Sequence, residues 1–64
     1  MDSRTVIKLL KAAGWYEVGC KGSHHQFKHP DKPGRVTVVH PSKDITLKTL
    51  ISIEQQSGVP LRRR

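Results

Sequence analysis

With a single cysteine, Cys20, the sequence has no means of stapling itself with an intrachain disulfide, and no Cys pair offers the spacing of a zinc finger. Acidic residues are also scarce: five Asp and Glu stand against 12 Lys and Arg, a formal charge of +7. Such a surplus calls for a polyanionic partner and favours nucleic acid, whose phosphates release condensed counterions when basic groups neutralise them. A solvated basic surface and an anionic membrane are the competing explanations, but neither predicted helix sets a basic face against a Trp- or Phe-rich one. No apolar run approaches the ~20 residues of a bilayer span. Met1-Asp2-Ser3-Arg4 lacks the charged and apolar regions of a secretory signal. Together with the lone thiol, these absences predict a cytoplasmic protein. Length sets a further limit, because a chain of 64 residues holds one domain, and a domain of that size buries roughly 60% of its unfolded surface. An enzyme that closes two lobes on a small metabolite is excluded. An active site must lie on an open surface, where a large or flexible substrate can reach it.

Secondary structure is legible in the periodicities. Val6, Leu9, Leu10 and Ala13 fall at i, i+3, i+4 and i+7, predicting a helix that Ser3 caps and Gly14 stops, with Lys8 and Lys11 toward its C-terminal end. Trp15 to Cys20 predicts a strand, Lys21-Gly22 a hairpin turn, and Ser23 to His29 a second strand. Turn formers crowd His29-Pro30-Asp31-Lys32-Pro33-Gly34, which predicts a loop, and Arg35 to Val39 alternates as a third strand. Leu47, Leu50 and Ile51 mark a second helix that starts near Thr46 and stops at Gly58. The predicted order is α-β-β-β-α, an α+β domain over residues 1–58 in which a three-stranded antiparallel meander packs both helices on one face. Residues 59–64 are expected to form a basic C-terminal tail.

Four histidines in so short a chain first suggest a metal. The strand geometry argues against one built from them. His24 and His25 point to opposite faces, and His25 and His29 sit ~13 Å apart on one strand. With His40 as the only other imidazole and no second Cys, no metal is expected. If Phe27 points into the core, His24, Gln26 and Lys28 share the opposite, helix-free face. Cutting RNA without a metal requires deprotonating the ribose 2′-hydroxyl, stabilising charge on the phosphorane and protonating the 5′-oxygen. Imidazole titrates near neutrality and performs either proton transfer. Lys21, Lys28 and the backbone N–H groups around Gly22 are placed to supply the electrostatic part. An exposed histidine is more often a polar surface residue, so pattern alone leaves His24 open between the two readings. His25 is read as a partly buried, hydrogen-bonded residue under the sheet. His29 and His40, each before a proline, are read as strand-end geometry. Trp15 is read as the anchor between helix and sheet, with base stacking the alternative for it and for Tyr16. Ser23 lacks the base and acid that a nucleophile needs.

Five stretches carry a resemblance: Leu9-Leu10-Lys11-Ala12-Ala13-Gly14-Trp15, Lys21-Gly22-Ser23-His24-His25-Gln26-Phe27, His29-Pro30, Val36-Thr37-Val38-Val39-His40-Pro41, and Leu47-Lys48-Thr49-Leu50-Ile51-Ser52-Ile53. Over roughly Ser3 to Gly58 the chain resembles the HicA toxin family. The resemblance implies a double-stranded-RNA-binding-domain-like fold and the activity of an mRNA interferase, an endoribonuclease that needs no cofactor. It also implies a HicB antitoxin that silences the toxin, and contact with DNA only indirectly, through the antitoxin complex. In the family's Gly-Ser-His motif the histidine is catalytic. That position is His24 here, presented by Gly22 and Ser23, with Lys21, Lys28 and Gln26 expected to touch mRNA. The competing reading is a non-catalytic RNA-binding module of the same fold.

Overall fold

The structure, a computed structural model, describes residues 1–61. Helix α1 (Ser3–Ala12) leads into strands β1 (Tyr16–Lys21), β2 (His24–His29) and β3 (Lys32–Val39), and helix α2 (Leu47–Ser57) follows. The strands form one antiparallel sheet in the order β1-β2-β3. This is the predicted α-β-β-β-α arrangement. Its shortest dimension, 18 Å, is that of one sheet under a single layer of helix. Among the described residues no helix is long and apolar enough to cross a membrane.

The core lies between the helices and one face of the sheet. Val6 and Leu10 of α1, Leu50 and Ile53 of α2, and Phe27, Val36 and Val38 of the sheet are all buried. Trp15 is buried with them, as expected of an anchor, and its indole N–H has no hydrogen-bond partner among the described residues. The ring of His29 meets it edge-on, with centroids 5.3 Å apart. The backbone N–H of Asp31 donates to His29 Nδ1 at 3.0 Å, so the ring proton sits on Nε2 and is donated to the Ala13 carbonyl, also at 3.0 Å. His29 thereby ties the end of α1 to the β2–β3 turn. Gly14 is required at this junction: its φ is +101°, and a Cβ there would lie 2.7 Å from His29 Nε2.

Several boundaries differ from those the sequence predicts, each for a local reason. Asp2, not Ser3, caps α1, accepting from the Thr5 N–H at 3.2 Å; the Thr5 hydroxyl first, and then this N–H, hold the Asp2 carboxyl below its ordinary pKa. Ser3 is buried because its hydroxyl accepts from the Ser42 N–H at 2.8 Å and meets His40 Nδ1 at 2.6 Å. The first hairpin turns at Gly22-Ser23, one residue later than expected. The second turn is short, and β3 begins at Lys32, inside the predicted loop. An edge strand tolerates Pro33, and the register is irregular between Phe27 and His29, so the missing N–H breaks no regular ladder bond. At α2 the expected caps are present, Thr46 at the start and Gly58, with φ +73°, at the end. Lys32 Nζ donates to the Ser57 carbonyl at 2.9 Å, a cation on the negative end of that helix.

The largest correction concerns the tail. The expected domain limit at residue 58 leaves Val59 and Leu61 outside, yet both are buried in the core, Leu61 completely. Hydrogen bonds draw the chain back: Val59 N–H donates to Ser57 Oγ at 3.1 Å, and Leu61 N–H to Glu54 Oε2 at 2.7 Å. The expected role for Arg62, Arg63 and Arg64 as a basic tail lies outside the described residues.

Leu61→Ala is therefore expected to destabilise the domain by about 2–5 kcal/mol, the usual result of emptying a core leucine site. Truncation after Gly58 should destabilise it further. Urea unfolding followed by circular dichroism measures both, and full stability of the truncated chain would return Leu61 to an unstructured tail.

Candidate active site

Two-residue hairpins need a positive φ at the first turn position, and Gly22 supplies it at +61°. On either side of the turn Lys21 and His24 face each other as the last pair of the β1–β2 ladder. The tip is fastened at two points. The Ser23 carbonyl accepts from the His40 N–H at 2.8 Å, and the Cys20 thiol donates to the Gly22 carbonyl at 3.2 Å.

From this end the register assigns the helix-free face in rows. Lys21, His24 and Val39 form the first row, and Gly19, Gln26 and Thr37 the second. Tyr16 pairs with Lys28 in the third, and alternation from the buried Val36 puts Arg35 on the same side. His24, Gln26 and Lys28 thus share a face, as strand alternation predicts, with His24 and Lys28 ~13 Å apart along β2, and the hairpin register adds Lys21 to them. His24 is exposed, and its ring makes no hydrogen bond within the described residues. Gln26 is held by the Thr37 hydroxyl, which donates to its Oε1 at 2.9 Å. Tyr16 and Val39 leave 49% and 44% of their surface in solvent, so apolar area flanks the cations. Arg35, Thr37 and Val39 were not among the predicted site residues, and Tyr16 entered only through the base-stacking alternative. Arg35 was recoverable from its alternation with Val36 and Val38.

The other three imidazoles lie across the sheet or at its end. His25 is partly buried, as predicted, with Nδ1 2.9 Å from Glu17 Oε2 and Nε2 3.6 Å from Cys20 Sγ. His40 meets it edge-on, with ring centroids 5.3 Å apart. Ser3 Oγ, which accepts from the Ser42 N–H at 2.8 Å, also shares a hydrogen bond of 2.6 Å with His40 Nδ1. A cavity of about 330 Å³ opens beside this pair, lined by residues 2–4 and 40–43 and away from His24. Sequence reasoning missed the Glu17-Cys20-His25 group. It compared distances among histidines, whereas the register pairs Cys20 directly with His25.

The helix-free face therefore offers an imidazole and several cations without partners among the described residues, and an exposed aromatic ring, on an open surface. Such a surface suits proton transfer on an extended polyanion better than on an enclosed small molecule.

Comparison with known proteins supplies a family and a related fold. The chain matches the family model described as HicA toxin of bacterial toxin-antitoxin over residues 3–59. Its structure is similar to a chain of the solved "HicA3 and HicB3 toxin-antitoxin complex", with a TM-score of 0.85 and 30% identity, covering 97% of this chain and 100% of that one. No curated protein matches the sequence.

The contrast between the free and the engaged side chains is directly measurable. His24→Ala is expected to change unfolding free energy by less than about 0.5 kcal/mol, as for other unpartnered surface positions. Ser3→Ala should destabilise by roughly 1–3 kcal/mol, because it strands the part-buried groups that its hydroxyl serves. Equal effects of the two substitutions in urea titrations would contradict this assignment.

Proposed function

This chain belongs to the HicA toxin family of bacterial toxin–antitoxin systems, and on that premise we propose that it is a metal-independent endoribonuclease, cutting mRNA in the cytoplasm with His24 as general acid/base. The observation that carries the proposal is the imidazole of His24, exposed and without a hydrogen-bond partner among the described residues, at the tip of a fastened hairpin on the cationic face. His24 takes the proton of a ribose 2′-hydroxyl, the oxygen attacks the adjacent phosphorus, and the 5′-oxygen departs with the proton that His24 returns to it, leaving a 2′,3′-cyclic phosphate and a 5′-hydroxyl. Lys21 and the turn at Gly22 and Ser23 stabilise the charge that builds on phosphorus. Lys28 and Arg35 hold flanking phosphates, Gln26 contacts the strand, and Tyr16 stacks on a base.

A HicB-like antitoxin covers this face. A basic nuclease with an open site on so small a domain has little internal means of switching itself off. An acidic partner also captures it quickly through electrostatic steering. Likeness to a chain solved in a toxin–antitoxin complex supports this partner.

One observation favours the second reading, a non-catalytic RNA-binding module. Among the described residues His24 is the only imidazole on the helix-free face, so no second histidine stands opposite to serve as the complementary acid. Activity of the variant separates the readings, since a binder tolerates loss of His24 and an enzyme does not.

The wild-type chain is expected to cut a defined transcript in excess EDTA and to leave DNA of the same sequence intact, because DNA lacks the 2′-hydroxyl. His24→Ala should retain RNA binding and fall below a few per cent of the wild-type cleavage rate. Mapping the cut ends checks both, and substantial cleavage by the folded variant would remove His24 from its role.

Phosphate contacts should also appear in the salt dependence of RNA binding. Lys28→Ala and Arg35→Ala are each expected to lower the slope of log affinity against log salt by about 0.7, the value for one contact on a single strand. Fluorescence anisotropy with the His24→Ala background gives that slope without cleavage, and unchanged slopes would move the RNA to another surface.

A further inference from the structure

On the helix side of the sheet, β1 and β2 bring three different metal-binding side chains together. Cys20 pairs with His25, and the irregularity after Glu17 keeps that carboxylate on the same side. One ligand atom from each of Glu17, Cys20 and His25 lies within 4.8 Å of the other two. We propose that these three residues form a binding site for a divalent transition-metal ion, with zinc the best match, at the base of the hairpin that carries His24.

The geometry fits the ion closely. Tetrahedral zinc with Zn–S near 2.3 Å and Zn–N near 2.0 Å separates sulfur from nitrogen by about 3.5 Å. Cys20 Sγ and His25 Nε2 are 3.6 Å apart. The ring is also presented in the right tautomer. Glu17 Oε2 lies 2.9 Å from Nδ1 and accepts its proton, which leaves the lone pair of Nε2 facing the sulfur. His40, itself held by Ser3, restrains the imidazole from its other side. A thiolate, an imidazole and a carboxylate are the donors zinc accepts. The half-exposed Glu17 already brings a carboxylate oxygen within 4.8 Å of both other ligand atoms, which makes it the third ligand of the set.

Cys20 and His25 flank the four-residue tip Lys21-Gly22-Ser23-His24. An ion bridging them clamps that tip from the side opposite His24, with no part in proton transfer. The site stands independently of the ribonuclease reading, and its test reads binding alone.

Chelator-stripped full-length protein, kept reduced with a phosphine, is titrated with Zn²⁺ against a chromophoric zinc indicator and separately with Co²⁺. One ion per chain is expected, with a thiolate-to-cobalt charge-transfer band. Glu17→Gln should weaken binding about 10- to 100-fold. Cys20→Ser, at an exposed position and checked for its fold by circular dichroism, should weaken it at least as much and abolish the band. His24→Ala should bind as wild type does. Wild-type affinity no greater than that of folded Cys20→Ser, a cobalt complex without the sulfur band, or loss of binding in His24→Ala would each overturn the site. None of these results bears on whether the chain cuts RNA.

Discussion

The burial of Phe27 sets the phase of the central strand, and the rest of the molecule depends on that phase. Phe27 sits opposite Val36, and its neighbour two residues back, His25, sits opposite Val38, so one face of β2 is committed to the core. A slip of one residue would bury His24, Gln26 and Lys28 and expel the phenyl ring. Full burial of a side chain such as Phe stabilises by about 1.5–3 kcal/mol. That is a modest amount, but in so small a core it decides which histidine meets solvent.

The polar groups around this core divide into those that hold the fold and those left over. His29 joins the end of α1 to the β2–β3 turn, His40 engages Ser3 at the start of α1, and Lys32 caps the last turn of α2. His25 is held by Glu17. The contacts of His29, His40 and Lys32 fix the helix layer on the sheet where apolar area is scarce, and that of His25 joins β1 to β2. On the opposite face, His24 and its flanking cations have no internal partners among the described residues.

The two faces of the β1–β2 hairpin therefore present different chemistry from adjacent residues. On the open side, unpaired cations and an exposed imidazole suit a polyanion, and the net charge of +7 brings such a partner in from a distance. Under the sheet, thiol, imidazole and carboxylate converge at the foot of the same turn. Strand alternation separates the two sets, so the underside can bind an ion without entering the proton transfers proposed above it.

Periodicity and punctuation were sufficient for much of this protein. The helical spacing of Val6, Leu9 and Leu10, the stop at Gly14 and the caps at Thr46 and Gly58 are local properties, and they determined the element order. Alternation about Phe27 likewise separated His24 from His25, because a strand has only two faces. The remainder required contacts between residues far apart in sequence. Ser3 yields its cap position to Asp2 because residues 40 and 42 claim its hydroxyl. Leu61 enters the core because the chain turns back after α2 and Glu54 anchors it there. Cys20 meets His25 only through the hairpin register, and Glu17 joins them only because a bulge shifts that register by one residue. Spacing along the chain records none of these, since each depends on where two elements come to rest against each other.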